Sequence, residues 1–284
     1  MPHVACTLVP IALALVLAVP AGAATLKCAP DSAKVGNVCV DLYETSIWRI
    51  PPSKTSLVKK VQAGKATLAD LTAGGAVQLG CPFAPFSHPE YPANFPPDGN
   101  WTTVVGSDPP SPGVYAASIP GVLPSACVTW FQANQACLLS SKRLLTNREW
   151  QGAAAGTPDP GTDNGTAECN ISTADKPVNT GSRPSCKSSW GVFDMVGNVS
   201  EWVADWADRN DNYTECIDWT SQTGIAGGDT SCFGGNGSGA SYRLPGALLR
   251  GGSWFVGAEA GVFNVVADVY PAYGSYSIGF RCGR

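Results

Sequence analysis

Histidine is nearly absent from this chain: His3 and His88 are the only two in 284 residues. No two cysteines form a C-x-x-C pair either, so a structural zinc site has no obvious ligand set. Charge is scarce as well. Asp, Glu, Lys and Arg supply 14% of the residues, against roughly 25% in an average globular protein. A net charge of −4 and a pI near 5.2 leave no basic face, which argues against nucleic acid as a partner. Beyond the N-terminal residues no apolar run is long enough to span a bilayer. No G-x-S-x-G elbow occurs, and His88 sits in a proline-rich loop that suits a surface residue better than a catalytic base. A hydrolase is therefore unsupported.

Glycine (32), proline (23) and cysteine (11) are abundant instead. The first two predict a loop-rich fold of short elements, and the length suits one large domain or two small ones. The N-terminus reads MPHVACTLVPIALALVLAVPAGAA, an apolar run from Leu8 to Val19, a breaking Pro20, and the small residues Ala21 to Ala24. This resembles a secretory signal peptide over 1–24, cut after Ala23 or Ala24, although its start has no Lys or Arg. The alternative is an uncleaved anchor, for which the run falls short of the ~20 residues that span a bilayer. Cys6 would leave with the signal, and the ten remaining cysteines predict five disulfides in a secreted, periplasmic or cell-surface protein. Sequence proximity pairs Cys28 with Cys39, Cys81 with Cys127, Cys169 with Cys186, and Cys216 with Cys232.

Residues 25–284 read as a single domain. NVCVDLYETSIWRI is strand-like, and Cys28 and Cys39 flank a turn at Asp31 to Asn37, as in a stapled hairpin. Residues 51–124 form a proline-rich irregular excursion with short strands near TTVV and VYAAS. In SACVTWFQANQACLL, Val128, Phe131, Gln135 and Leu138 are predicted to share one face of a helix. Thr146-Asn-Arg-Glu149 matches a capping box and opens a second helix. From Gly156 to Ser189 the composition is that of a loop, and SEWVADW, ALLRGGSW and SIGFRC then read as strands. The run Gly235 to Ala240 satisfies G-x-G-x-x-A but follows no strand–helix unit, so it is read as a flexible loop. Asn164, Asn212 and Asn236 begin N-x-S/T triplets, which matter if the host glycosylates.

RLLTNREWQGAAAG, GVFDMVGNVSEWVADW, LLRGGSWF and a terminal IGFRCGR follow one another in the order and spacing of one family. The chain resembles the formylglycine-generating enzyme (sulfatase-modifying factor) family, within the C-type-lectin-like fold group. The likeness runs from Cys39 to Arg284 and is strongest from Ser125 onward. It implies an α+β fold with short helices, antiparallel strands and a Cys137–Cys282 disulfide. It also implies a structural calcium ion held by the side chains of Asp194 and Glu201 and the carbonyls of Gly197 and Val199. A hard divalent ion prefers such oxygens, and glycine lets the backbone turn a carbonyl inward. The alternative is that Asp194 and Glu201 cap a turn and pair with Arg250 or Arg281. A second family calcium site begins at a segment like Asn170-Ile171, but the shortened loop after it offers no acidic partner. Trp202, Trp206 and Trp254 are expected in the core, and Arg250 and Arg281 against buried acids or carbonyls.

The family's name reaction oxidises a sulfatase cysteine to formylglycine with copper held by two cysteines, because copper(I) demands soft thiolates. The matching positions here are Val256 and Gly261, and no cysteine lies between Cys232 and Cys282. Copper is therefore not expected, and no catalytic residue is assigned. A related branch, the sulfoxide synthases of ergothioneine biosynthesis, takes iron from three histidines on an added domain that this chain lacks. Phe255, Glu259, Asn264, Asp268, Tyr270, Tyr273 and Tyr276, with Phe263, mix rigid aromatic surface with polar groups. This composition suggests a surface for a peptide, glycan or protein ligand, although alternation in VFNVVADVY would bury half of its residues. Retained formylglycine-type oxidation is the alternative, followed by an enzyme using a metal at Glu259 or Asp268, or a purely structural role in the envelope.

Overall fold

A computed structural model describes residues 26–81, 91–95, 113–159, 161–207 and 246–284, together with strand backbone at 215–218 and 230–233. The segment 1–24, the TTVV strand, His88, Asn212, Asn236 and the Gly235–Ala240 loop lie outside the described residues.

The chain opens as a hairpin of β1 (Ser32–Val35) and β2 (Val38–Asp41), turning at Gly36 with φ +58°. Glycine takes this left-handed conformation at no steric cost, and the Cys28–Cys39 disulfide staples the hairpin as expected. The last strand, β14 (Cys282–Gly283), lies between β2 and β7 (Arg143–Leu144). Reciprocal Cys39–Arg284 backbone hydrogen bonds of 2.9 and 2.8 Å continue that pairing.

A second sheet has the order β5-β4-β3-β6, from β3 (Thr45–Ile50), β4 (Val77–Gly80), β5 (Ala93–Asn94) and β6 (Gly113–Ser118). Two helices lie inside the stretch read from sequence as irregular: α1 (Thr55–Gln62) and α2 (Leu68–Ala73). Their signals were present but local. Leu57 and Val61 stand one turn apart, and Thr67 forms a capping box with Asp70. Leu57, Val61 and Leu71 pack against Trp48, Ile50 and Tyr115 in a separate apolar cluster.

The largest sheet runs β13-β8-β11-β12-β10-β9. Its strands are β8 (Ser200–Ala207), β9 (Glu215–Asp218), β10 (Thr230–Phe233), β11 (Gly246–Arg250), β12 (Val265–Val269) and β13 (Ile278–Phe280). Pairing is antiparallel except for β8 with β13 and β10 with β12. Cys216 and Cys232 are directly opposite in the β9–β10 register, while their side chains lie outside the described residues. The disulfides Cys81–Cys127, Cys137–Cys282 and Cys169–Cys186 are all present as expected. Among the described residues no helix is long and apolar enough to cross a membrane.

Helix α3 (Trp130–Leu139) and helix α4 (Asn147–Ala154) both open with capping boxes, Thr129 with Gln132 and Thr146 with Glu149. On α3 the face shared by Phe131 and Leu138 is the outward one. Phe131 and Leu138 are 51% and 58% exposed, while Ala133, Ala136 and Cys137 are buried. The helix lies close over β6 and is tied to β14 through Cys137–Cys282, which leaves room only for small side chains beneath it. Trp206, expected in the core, is 41% exposed, and Trp254 is half-buried. Trp202 is fully buried and donates its indole N–H to the Val128 carbonyl at 2.9 Å.

Candidate functional site

Strand β8 turns Glu201 inward beside β13, and Arg281 follows β13 directly. The Glu201 carboxylate accepts from Arg281 Nη2 at 2.7 Å and from Arg281 Nε at 3.2 Å to each oxygen. Its Oε2 also accepts from Trp150 Nε1 at 2.7 Å. Arg281 donates further to the carbonyls of Asp41 (3.0 Å) and Phe193 (2.7 Å). Both charged groups are essentially inaccessible to solvent. Burial on this scale is tolerated because the partners saturate each other's hydrogen-bonding capacity. Arg250 is likewise structural: it lies 4.5 Å over the Trp150 ring and donates to the carbonyls of Val262 and Asn264 and to Gln151 Oε1.

Two more acids share this interior. Asp194, at φ +59°, accepts from the Gly181 N–H at 2.7 Å, and burial pushes its carboxyl up to about 7 despite that hydrogen bond and Arg281. Glu44 accepts from Asn198 Nδ2 and from the Val199 N–H at 3.0 Å; burial, then Asp194 and Glu201, push its pKa well up. Glu44 has no sequence motif of its own, and the analysis above missed it. Arg281 thus acts on three carboxyls, and Arg183 acts on Asp194 as well.

This arrangement fits the expected calcium ion only in part. Asp194 is a buried carboxyl with uncompensated neighbours, and it flanks the backbone turn that carries Gly197 and Val199. Glu201 is spent on Arg281 and Trp150, the pairing held above as the alternative. Among the described residues no three His, Cys, Asp or Glu side chains gather to hold a metal. Near Asn170-Ile171, Asp163 accepts from the N–H groups of Gly165, Ile171, Ser172 and Thr173 at 2.8 to 3.1 Å and pairs with Arg183 Nη1 at 3.4 Å, so its carboxylate is committed within the loop. Burial opposes ionisation there, yet these hydrogen bonds hold the carboxyl well below its usual range.

On the outer side, Trp254, Phe255 and Tyr276 form one ring cluster, with centroids 4.9 to 6.3 Å apart. Tyr270 and Tyr273 form a second, edge-to-face at 5.3 Å. Phe255 is 51% exposed, Phe263 and Tyr273 about 40%, and Glu259 is exposed, whereas Asp268 and Tyr270 are half-buried. Asn264 departs from the expected set. It is buried, donates Nδ2 to the Glu259 carbonyl at 2.8 Å and gives its own carbonyl to Arg250, so it braces the turn rather than facing a ligand. The loop carrying the tyrosines is pinned to the start of α3 by Trp130 N–H to Pro271 O (2.9 Å) and Cys127 N–H to Ser275 O (2.8 Å). A Cβ at Gly274 would stand 2.7 Å from the Cys127 carbonyl, so only glycine allows this approach. Trp130, Phe131 and Trp206 form a third aromatic group that the sequence analysis did not single out.

A family model described as the sulfatase-modifying factor enzyme 1-like domain matches residues 16–284. The chain belongs to this family. It is 30% identical over 148 residues to the hercynine oxygenase of Mycolicibacterium smegmatis, covering 49% of this chain and 32% of that protein. It is 31% identical over 136 residues to the formylglycine-generating enzyme of Thermomonospora curvata, covering 40% of this chain and 45% of that one. The matches thus span less than half the length of either relative. The structure of PvdO from Pseudomonas aeruginosa aligns with a TM-score of 0.40 at 20% identity, over 87% of this chain and 80% of that one.

In this member of the sulfatase-modifying factor family, positions 256 and 261 flank a 3-10 turn, Gly257–Glu259. Val256 packs beside the Cys169–Cys186 cluster, and Gly261 is buried with its N–H on the Gly251 carbonyl at 3.2 Å. Neither offers a donor, and the eight cysteines with described side chains are all in disulfides. The residues at these positions do not fit copper(I).

Proposed function

We propose that this family member is an exported, disulfide-stabilised binding module in which an aromatic ligand face stands beside Val256 and Gly261, the positions that the family resemblance assigns to a copper-binding cysteine pair. The observation that carries the reading is the pairing of a donor-free turn at Val256 and Gly261 with the exposed rings of Phe255 and Tyr273. Rings held by their neighbours lose little conformational freedom on binding, which suits recognition. Phe255, Tyr270, Tyr273 and Tyr276 supply the surface for a peptide, glycan or protein. Glu259 and Asp268 set its charge: residues 251–280 contain these two acids and no Lys, Arg or His. Export agrees with the leader-like residues 1–24 and with four disulfides, which persist in oxidising compartments.

The proposal extends to a structural calcium ion held by Asp194 and the carbonyls of Gly197 and Val199, offsetting the buried negative charge of Asp194 and Glu44 while Glu201 stays with Arg281. Chelation should then lower the melting temperature, and Asp194→Asn should remove that sensitivity. Identical melting curves with calcium and with chelator would remove the ion from the account.

Binding is tested by probing glycan and peptide arrays with wild-type protein and with Phe255→Ala/Tyr276→Ala. A ligand held by the wild type and lost by the double variant supports the module. A ligand held equally by both places recognition elsewhere.

A further inference from the structure

We propose a second binding site, for a sugar carrying a carboxylate, in the groove between the β1–β2 hairpin and α4. It shares no residue with the aromatic face and does not depend on that reading. The groove encloses about 610 Å³, within the size range of small-ligand sites.

Val35, Val38 and Gly152 line it together with Trp190, Asn37 and Arg148. The turn that presents Trp190 is braced on every side. Ser189 N–H donates to the Ala155 carbonyl at 2.9 Å, Gly191 N–H to the Ser188 carbonyl at 2.9 Å, and the indole N–H to the Gly152 carbonyl at 2.9 Å. Gly191 adopts φ +84°, which favours glycine and lets the chain double back. The indole is thus fixed in orientation and yet 47% exposed.

The charges give the ligand's sign. Glu149 is committed to Arg143, at 2.6 Å through each carboxylate oxygen, and to the Thr146 N–H. Arg148 is exposed and makes no hydrogen bond or ion pair with any described residue, so the groove carries an unmatched guanidinium. Arginine recognises carboxylates through paired donors. The Asn37 side chain, exposed at the hairpin tip, adds amide donors and an acceptor for hydroxyls. A rigid flat apolar surface, a cation and an amide match a pyranose ring bearing one carboxylate and several hydroxyls.

Titration of the full mature protein with galacturonate and its short oligomers, set against galactose and its oligomers, reads the site through tryptophan fluorescence and calorimetry. The acidic sugars should bind at least about tenfold more tightly than the neutral ones. Arg148→Gln, at an exposed position where folding is not at risk, should reduce the acidic sugar to the neutral one's affinity. Trp190→Ala should abolish binding of both, whereas Leu138→Ala, which trims exposed apolar surface elsewhere, should change nothing. The proposal is overturned if galacturonate binds no better than galactose, if no saturable binding is seen, or if Arg148→Gln, with an unchanged melting curve, binds as the wild type does.

Discussion

The interior around Arg281 and the face around Phe255 lie in the same C-terminal third of the chain and follow opposite rules. Inside, the Glu201 and Arg281 side chains have polar partners and no solvent. Outside, the Trp254, Phe255 and Tyr276 rings pack against one another, and Phe255 is still 51% exposed. The first arrangement fixes a backbone in which β2, β8 and β13 meet; the second has little work to do for stability. The motifs that carry the family resemblance include Glu201 and Arg281, whereas Val256 and Gly261 supply no thiol.

That contrast gives graded expectations. Arg281→Met leaves Glu201 as an unpaired buried charge and should cost about 3–5 kcal/mol or prevent folding, measured by denaturant unfolding. A loss under about 1 kcal/mol would mean that water or an ion reaches the site. Replacing Cys137 and Cys282 by serine should cost about 2–5 kcal/mol, because the bridge closes a separation of 145 residues. A near-neutral result would show that α3 and β14 hold together without it.

The pH dependence should be intermediate. Asp41 is raised to about 6 by burial, against the pull of Lys142, and Asp31 adds to the rise. Its folded pKa lies above the unfolded one, so the folded state binds more protons in the window from about 4 to 6. The Asp41 contribution to stability should therefore fall as pH rises through that window. Asp41→Asn should flatten the lower part of the curve. A wild-type minus Asp41→Asn difference that does not fall across pH 4–6 would show that Lys142 keeps Asp41 ionised throughout. At the small end, Phe255→Ala and Tyr273→Ala should each change stability by no more than about 0.5–1 kcal/mol while removing ligand capture. A larger loss would place those rings in the core.

Much of this was legible in the sequence where a local rule has one solution. The capping box at Thr146–Glu149, the stapled hairpin, the strands at SEWVADW and SIGFRC, and the disulfides paired by proximity, Cys28–Cys39, Cys81–Cys127 and Cys169–Cys186, all appear as read, whereas Cys137–Cys282, 145 residues apart, came from the family resemblance. The errors arose where tertiary context decides. Apolar spacing put Phe131 and Leu138 on one face of α3 without saying which face is buried, and it is Ala133, Ala136 and Cys137 that pack inward. Proline content hid α1 and α2, although Thr67 and Asp70 marked one of their starts. Glu44 joins Asp194 across 150 residues of sequence, and no local pattern announces such a contact. Among the residues proposed as a ligand face, alternation correctly warned that some would be buried, and Asn264 is one.

The most direct test of the central claim is mass spectrometry of a cysteine-containing sulfatase-type peptide. The peptide is incubated with the oxidised protein, copper(I), a reducing thiol and oxygen, beside an active formylglycine-generating enzyme. An unchanged peptide mass is the predicted result, with the control converted. Conversion to the aldehyde by this chain would show that Val256 and Gly261 do not exclude the reaction and would contradict the account.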